Sequence, residues 1–351
     1  MLRPAQEQRW NPIEGFRPAL AATAAQRELR RWTIIALGAL AVAGVYALLL
    51  AISRIPGADT LFPWPVAFYE KSLIIHVVFS FVVWYLAIGI ILMMIGAYRM
   101  ADGVPKLAGL GASSLAAMVI AFVMLALPAL MDRGEPSLNN YIPAIIDPIY
   151  YIGLLMVAFA VVLAAARSLA NGVARHGPLE PIGAAGMASG VIALTAVAAF
   201  AIAWNRLGVM PATAAENEDL FWAGGHILQF LNTSVMIAGW VLLGGRALGH
   251  PPVAPRIVML ALGVNALLAL GGFGLMFVEA PFSAEERILF THYQYALAPV
   301  PIFLGLIIGA AALRAPKPDG DAARTARLAL LLSLAVFFAG GVLGIFVDGA
   351  D

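Results

Sequence analysis

Between residues 32 and 347 the chain is a succession of long apolar runs broken by short segments rich in charge, Pro, Gly or Asn. The runs from Trp32 to Ile52, Ser72 to Ala97 and Leu328 to Val347 are each long enough, at ~1.5 Å of rise per helical residue, to cross the ~30 Å of a bilayer's hydrocarbon. The same reading over the whole chain predicts spans at 32–52, 72–97, 107–131, 143–166, 181–204, 220–245, 257–278, 290–313 and 328–347. The expected fold is therefore all-α: a polytopic membrane bundle of about nine helices.

Composition agrees with the pattern. The 351 residues are 62% hydrophobic and 12% charged, with a mean hydropathy of +0.89, and a soluble domain could not hide that much apolar surface. Residues 1–31 carry Arg3, Arg9, Arg17, Arg27, Arg30 and Arg31 and no apolar stretch of their own, so a cytoplasmic tail is expected there rather than a cleavable signal peptide. Residues 32–351 are expected to form one membrane domain, with no repeat and no soluble module. The absence of cysteine excludes disulfides, thiolate metal sites and CxxC haem attachment, so any metal must be held by His, carboxylate or amide. With a net charge of +1 and no basic block beyond the tail, no nucleic-acid partner is expected.

The basic residues also predict orientation, because positively charged loops are retained on the cytoplasmic side. Of the 21 Lys and Arg, 16 lie on the side of the tail, in the tail itself and at Arg99, Lys106, Arg167, Arg175, Arg246, Arg256, Arg314, Lys317, Arg324 and Arg327. The other side holds five: Arg54, Lys71, Arg133, Arg206 and Arg287. The N-terminus is thus expected in the cytoplasm and the C-terminus outside, in a bacterial inner membrane.

Three of the five histidines lie inside predicted spans, and each lies within about two turns of the external end of its span: His76, His226 and His292. An ionisable group inside a span is costly and ordinarily faces a partner or a cavity, and imidazole is the commonest metal ligand. The competing reading is three unrelated histidines bonding nearby helices. Gly224 and Gly225 before His226 leave room for a flat ring or a neighbouring helix. Gln229 and Phe230 follow His226 by one turn, and Tyr293, Gln294 and Tyr295 follow His292. Gln229, Tyr293 and Gln294 could orient the imidazoles through hydrogen bonds, and the tyrosines equally fit an interfacial aromatic belt.

On these residues the chain resembles subunit I of the haem-copper oxidases, a superfamily that includes the nitric oxide reductases. The likeness covers the first nine of that family's twelve core helices. LIIHVVFSFVVWYLAIG resembles the helix whose histidine binds the low-spin haem, which falls on His76. FWAGGHILQFLNT resembles the helix giving the first copper ligand, at His226, and FTHYQYALAPVPIF the His-His pair that completes much of the copper site, at His292. The chain departs from the family at Tyr293, where the second adjacent histidine would stand, and at Phe230, where many oxidases have a tyrosine. The family's tenth helix, with histidines for both haem irons, would follow the segment ending VDGAD.

The resemblance implies a divergent, shortened or split core subunit that reduces dioxygen or nitric oxide in a respiratory chain, an oxidoreductase not active alone. Its implied cofactors are haem and copper, with the ligand of any high-spin haem supplied by a second membrane subunit. A cytochrome c or a quinol would donate the electrons. The alternative is a non-catalytic haem- or copper-binding membrane protein for assembly, sensing or electron transfer, and a third possibility is a transporter or structural protein without metal. The spans offer no interior Asp, Glu or Lys on the cytoplasmic side, and Asp147 and Glu279 both lie near external ends, so no proton channel is expected.

Overall fold

The computed structural model describes residues 20–61, 68–138 and 143–348. Among these residues nine helices are long and apolar enough to cross a membrane. In chain order the nine spans are Thr23–Ser53, Phe68–Met100, Ala108–Leu130, Pro148–Val173, Pro181–Leu207, Ala214–Leu248, Pro255–Leu275, Ala284–Arg314 and Asp321–Asp348. The architecture is the expected helical bundle.

Most spans outrun their apolar cores because polar residues cap them. The sixth begins at Ala214, where Thr213 Oγ1 accepts from the Glu216 amide and the Glu216 carboxylate accepts from the Thr213 amide, a reciprocal cap that satisfies two otherwise orphaned donors. Glu180 caps the fifth span and Ser283 the eighth in the same manner, each side chain accepting from backbone N–H groups of the first turn.

At three boundaries the difference from expectation changes the local structure. The first helix starts at Thr23, so the last part of the expected tail is helical; residues 1–19 of that tail, and 349–351 at the other terminus, lie outside the described residues. Helical, this segment still exposes Arg27, Arg30 and Arg31. The fourth span starts at Pro148 rather than 143, because Asp147 Oδ1 accepts from the Ile149 amide and Pro148 occupies the first helical position. The apolar residues just before it form strand β2 (Ala144–Ile146), paired antiparallel with β1 (Glu135–Ser137), with Pro136 opposite Ile145. That span also runs on to Val173, which puts Arg167, expected in a loop, inside a helix at 2% exposure.

Two spans depart from α geometry. In the second, Val78–Val83 forms a π turn that begins two residues after His76. In the eighth, the helix Ala284–Tyr293 narrows to a 3-10 turn at Gln294–Leu297 and restarts at Pro299. Pro299 and Pro301 have no N–H, so the carbonyls one turn earlier lose their α-helical donors.

Polar clusters tie the helix ends into two layers. On the side where the first span begins, here the near side, Arg99 pairs with Glu180 at 2.8 Å and Arg167 with Glu28 at 2.5 Å. On the far side Lys71 pairs with Asp132 at 2.7 Å, Arg133 with Asp147 at 3.1 Å, and Arg287 with Glu218 at 2.6 Å and Asp219 at 2.5 Å. Between the layers the packing is apolar and close. A Cβ at Gly96 would lie 3.2 Å from the Gly186 Cα, so the second and fifth spans meet backbone to backbone. The second span is 61% buried over its apolar window and the ninth only 17%, which leaves the ninth as an outer helix anchored on the sixth by the Trp240 Nε1 to Ser333 Oγ hydrogen bond of 2.9 Å.

Candidate functional site

His76 is the last residue but one of an α-helical stretch and is half-buried. Its Nδ1 lies 2.9 Å from the Ala43 carbonyl oxygen on the first span. A carbonyl only accepts, so Nδ1 carries the proton and the lone pair of the neutral ring is on Nε2, the tautomer a metal ligand needs. A backbone carbonyl in this place also fixes the ring plane. The following π turn is a local irregularity of the kind found at functional sites. Ser80 Oγ donates to the His76 carbonyl at 2.7 Å, filling an acceptor at the irregularity. By helical geometry, the unwinding sets His76 roughly in line with Trp84, eight residues on.

The second and sixth spans touch along a narrow seam. Tyr85 donates to the Leu228 carbonyl at 3.0 Å, and a Cβ at Gly89 would lie 3.2 Å from Leu231 Cδ2. On one side of the seam both helices leave side chains uncovered, an open strip termed the cleft. Its second-span wall carries Phe81 and Trp84, 71% and 37% exposed. Its sixth-span wall carries half-buried Gln229 and Met236 and exposed Asn232. Asn232 was not among the residues the sequence singled out, since only the packing of the sixth span shows which of its faces is uncovered. A carboxamide in the middle of a membrane span is stable only against a partner or a wet cavity.

His226 is 3% exposed. Its Nδ1 sits 2.7 Å from the Trp222 carbonyl one turn earlier, so its Nε2 has the lone pair of the neutral ring as well. The imidazole lies between the Trp222 ring at 4.8 Å and the Phe290 ring at 5.8 Å. Arg287 stands over Trp222 at 5.6 Å and is itself held by Glu218 and Asp219, closing this column on the far side.

The structure does not bring His292 to His226. Phe290 is the eighth-span side chain that meets His226, and two residues are about 200° around a helix, so the rotation that presents Phe290 turns His292 to the outer surface, where it is exposed. Tyr293 donates to the Leu268 carbonyl at 2.7 Å and packs its ring on Phe230 at 5.3 Å, which ties it to the seventh and sixth spans. Gln294 begins the 3-10 turn, half-buried. Gly224 serves helix packing: a Cβ there would collide with the Phe200 ring of the fifth span. Among the described residues no group of three or more His, Asp or Glu is placed to hold a metal ion.

Two further features escaped the sequence reading. On the near side, Arg167 Nη1 binds Glu28 Oε1, Tyr98 donates to Glu28 Oε2 at 2.6 Å, and the Arg167 guanidinium lies 5.5 Å from the Tyr98 ring. Glu28 read as part of a tail because charges cluster around it. On the other side of the Tyr85–Leu228 seam is a cavity of about 410 Å³ between the second, fourth, fifth and sixth spans, with almost wholly apolar walls.

No protein-family profile matches the chain. Over 330 residues it is 27% identical to an uncharacterized protein of Aquifex aeolicus (strain VF5), a match covering 91% of this chain and 77% of that protein. The similarity therefore runs through the whole bundle rather than one motif.

Proposed function

We propose that the chain is a haem-carrying electron-transfer subunit of a respiratory complex in a bacterial inner membrane, with its N-terminus in the cytoplasm. The observation that supports this is His76: a ring fixed by the Ala43 carbonyl, with its Nε2 lone pair available in the neutral form, two residues ahead of a π turn on the span whose Phe81 and Trp84 are exposed. When bound, haem would supply one-electron transfer. The chain's own residues would hold and shelter it. His76 would be one axial ligand, Phe81 and Trp84 an apolar wall, and Gln229 and Asn232 hydrogen-bonding groups on the opposite wall.

The cleft also supports the expectation of a second membrane polypeptide. With His226 sealed between Trp222 and Phe290, the described residues offer no second imidazole placed across the cleft from His76. A partner helix would supply the other axial ligand and cover Asn232. Electrons would enter from a cytochrome c or a quinol.

Copper does not fit. A copper ion needs its ligands to converge, whereas His226 is enclosed in an aromatic column and His292 faces outward. Two imidazoles that do not converge give no footing for dioxygen or nitric oxide reduction between them, and the non-catalytic reading is preferred to the oxidase. The test is a reduced-minus-oxidised spectrum of protein purified from its native membrane in mild detergent. A low-spin haem band lost in His76→Ala is expected; an unchanged band in that variant overturns the proposal.

A further inference from the structure

We infer that the cavity behind the Tyr85–Leu228 seam is a binding site for an isoprenoid quinone, a membrane-soluble molecule with a flat aromatic head and a long apolar tail. The site is distinct from the His76 cleft and the inference does not depend on haem.

The cavity has two chemically different ends. Near the far-side ends of the fourth, fifth and sixth spans its wall is aromatic: Tyr151, Phe200, Trp204 and Phe221. Tyr151 meets the Trp204 ring edge to face at 6.4 Å, and Phe200 meets Phe221 at 5.7 Å, so the four rings form a collar around a slot. Tyr151 brings a polar group to this end: its hydroxyl donates at 3.0 Å to Asn217 Oδ1, on a fully buried residue just behind the wall. Deeper in, the wall is aliphatic, with Val82, Leu86, Val157, Val161, Val197 and Leu228. Val161 lies ten residues beyond Tyr151, which is about 15 Å along a helix. The collar therefore sits at interfacial depth and the aliphatic part near the bilayer middle.

The cavity opens sideways. Leu155 on the fourth span is 53% exposed and Ala201 on the fifth is exposed, although both line it, so a molecule can enter from the lipid between these helices. A phospholipid acyl chain would satisfy only the aliphatic part. The collar and the Tyr151–Asn217 pair select a planar ring carrying oxygen, because a hydroxyl that both donates and accepts can exchange Asn217 for a quinone carbonyl or a quinol hydroxyl. The slot's volume of about 410 Å³ falls within the ordinary range of small-molecule pockets, roughly 300–1,000 Å³, whose walls are mainly apolar with a few placed polar groups. The tail would continue through the lateral mouth into the bilayer.

The experiment uses the full chain, with whatever copurifies, in nanodiscs of a single phospholipid loaded with decylubiquinone. The readout is quinone retained per protein after washing, by extraction and absorbance. Saturable retention of about one per protein is expected. Ala158→Trp, which fills the slot from a lining position, should lower it at least tenfold, and Tyr151→Phe several-fold. If Ala158→Trp does not fold by size exclusion, Ala201→Phe at the mouth is the deciding variant. Retention no greater than in protein-free discs, retention indifferent to filling, or recovery of phospholipid alone overturns the inference. The haem spectrum of the same samples is expected to be unchanged, which keeps this outcome separate from the fate of the His76 reading.

Discussion

The Tyr85 hydroxyl donates to the Leu228 backbone carbonyl at 3.0 Å, and with the Gly89–Leu231 approach it forms a seam between the second and sixth spans whose two flanks differ. On one flank Phe81, Trp84 and Asn232 are exposed, and on the other lies the aromatic-collared cavity, which Val82, Leu86 and Leu228 also line. Helical geometry explains the division: Tyr85 and Gly89 share a face, Val82 and Leu86 lie on one flank of it, and Phe81, Trp84 and Ile88 on the other.

The seam gives a first prediction. Tyr85→Phe removes one hydrogen bond inside the membrane, worth on the order of 0.6 kcal/mol, and should change stability little. Gly89→Leu inserts a side chain where Leu231 already stands at 3.2 Å from the position of a Cβ and should force the helices apart. An SDS unfolding titration is expected to show a loss for Gly89→Leu several times that for Tyr85→Phe. Equal losses would mean that close packing does not hold the seam.

The near-side cluster gives a second. Arg167 is 2% exposed and its partner Glu28 is mostly covered, so Arg167→Ala strands a carboxylate at the bundle's edge. Breaking such a pair costs about 3–5 kcal/mol, whereas replacing both members by apolar residues of similar size is often neutral. Arg167→Ala should lower stability by roughly 3 kcal/mol, and Glu28→Leu combined with Arg167→Met should recover most of it. A double-mutant cycle measures the difference; a double variant as weak as the sum of the two single ones would show that the ions do not act as a pair.

How far these features were legible in the sequence depends on the level at which each is set. The spans were readable because transfer into hydrocarbon is a property of each run by itself. Their ends were less so: Glu28 lies among arginines and reads as tail, while its burial is decided by Arg167, 139 residues away. Strand β2 was hidden because Ala144, Ile145 and Ile146 are as apolar as the helix after them, and only Asp147 and Pro148 mark the change. His76, His226 and His292 were found by type and depth, but rotation about the helix axis is set by neighbours. Phe290 and His292 stand two residues apart and face opposite ways, so sequence could name both and could not say which meets His226.

A third prediction follows for the expected copper pair. His292 is exposed and meets no partner that packing requires, so His292→Ala should leave stability and metal content unchanged. His226→Ala removes a ring packed between Trp222 and Phe290 and should cost on the order of 2 kcal/mol or more through the cavity it leaves. Metal analysis beside an unfolding titration separates the roles. Copper at one per protein, lost in both variants alike, would show that the two imidazoles meet on one ion after all.

The last prediction concerns what covers the cleft. Asn232 is exposed and Gln229 half-buried on the same flank of the sixth span, beside the Tyr85–Leu228 seam. An amide facing lipid has no hydrogen-bonding partner, and a hydroxyl or amide moved to an apolar phase without one loses about 1–3 kcal/mol by mutational measures. For a bare bundle, Asn232→Leu should therefore stabilise or leave stability unchanged. For a bundle whose cleft is covered by a partner helix, the same substitution deletes an interhelical hydrogen bond and weakens association while the chain itself stays folded. We expect the second outcome: in mild detergent, Asn232→Leu should lower the recovery of a copurifying membrane polypeptide and of haem together, with the unfolding midpoint of the isolated chain unchanged or raised. Haem kept at the wild-type level with no polypeptide attached in either protein would mean that this chain closes the cleft by itself, and that the second axial ligand to His76 has to be sought among its own residues.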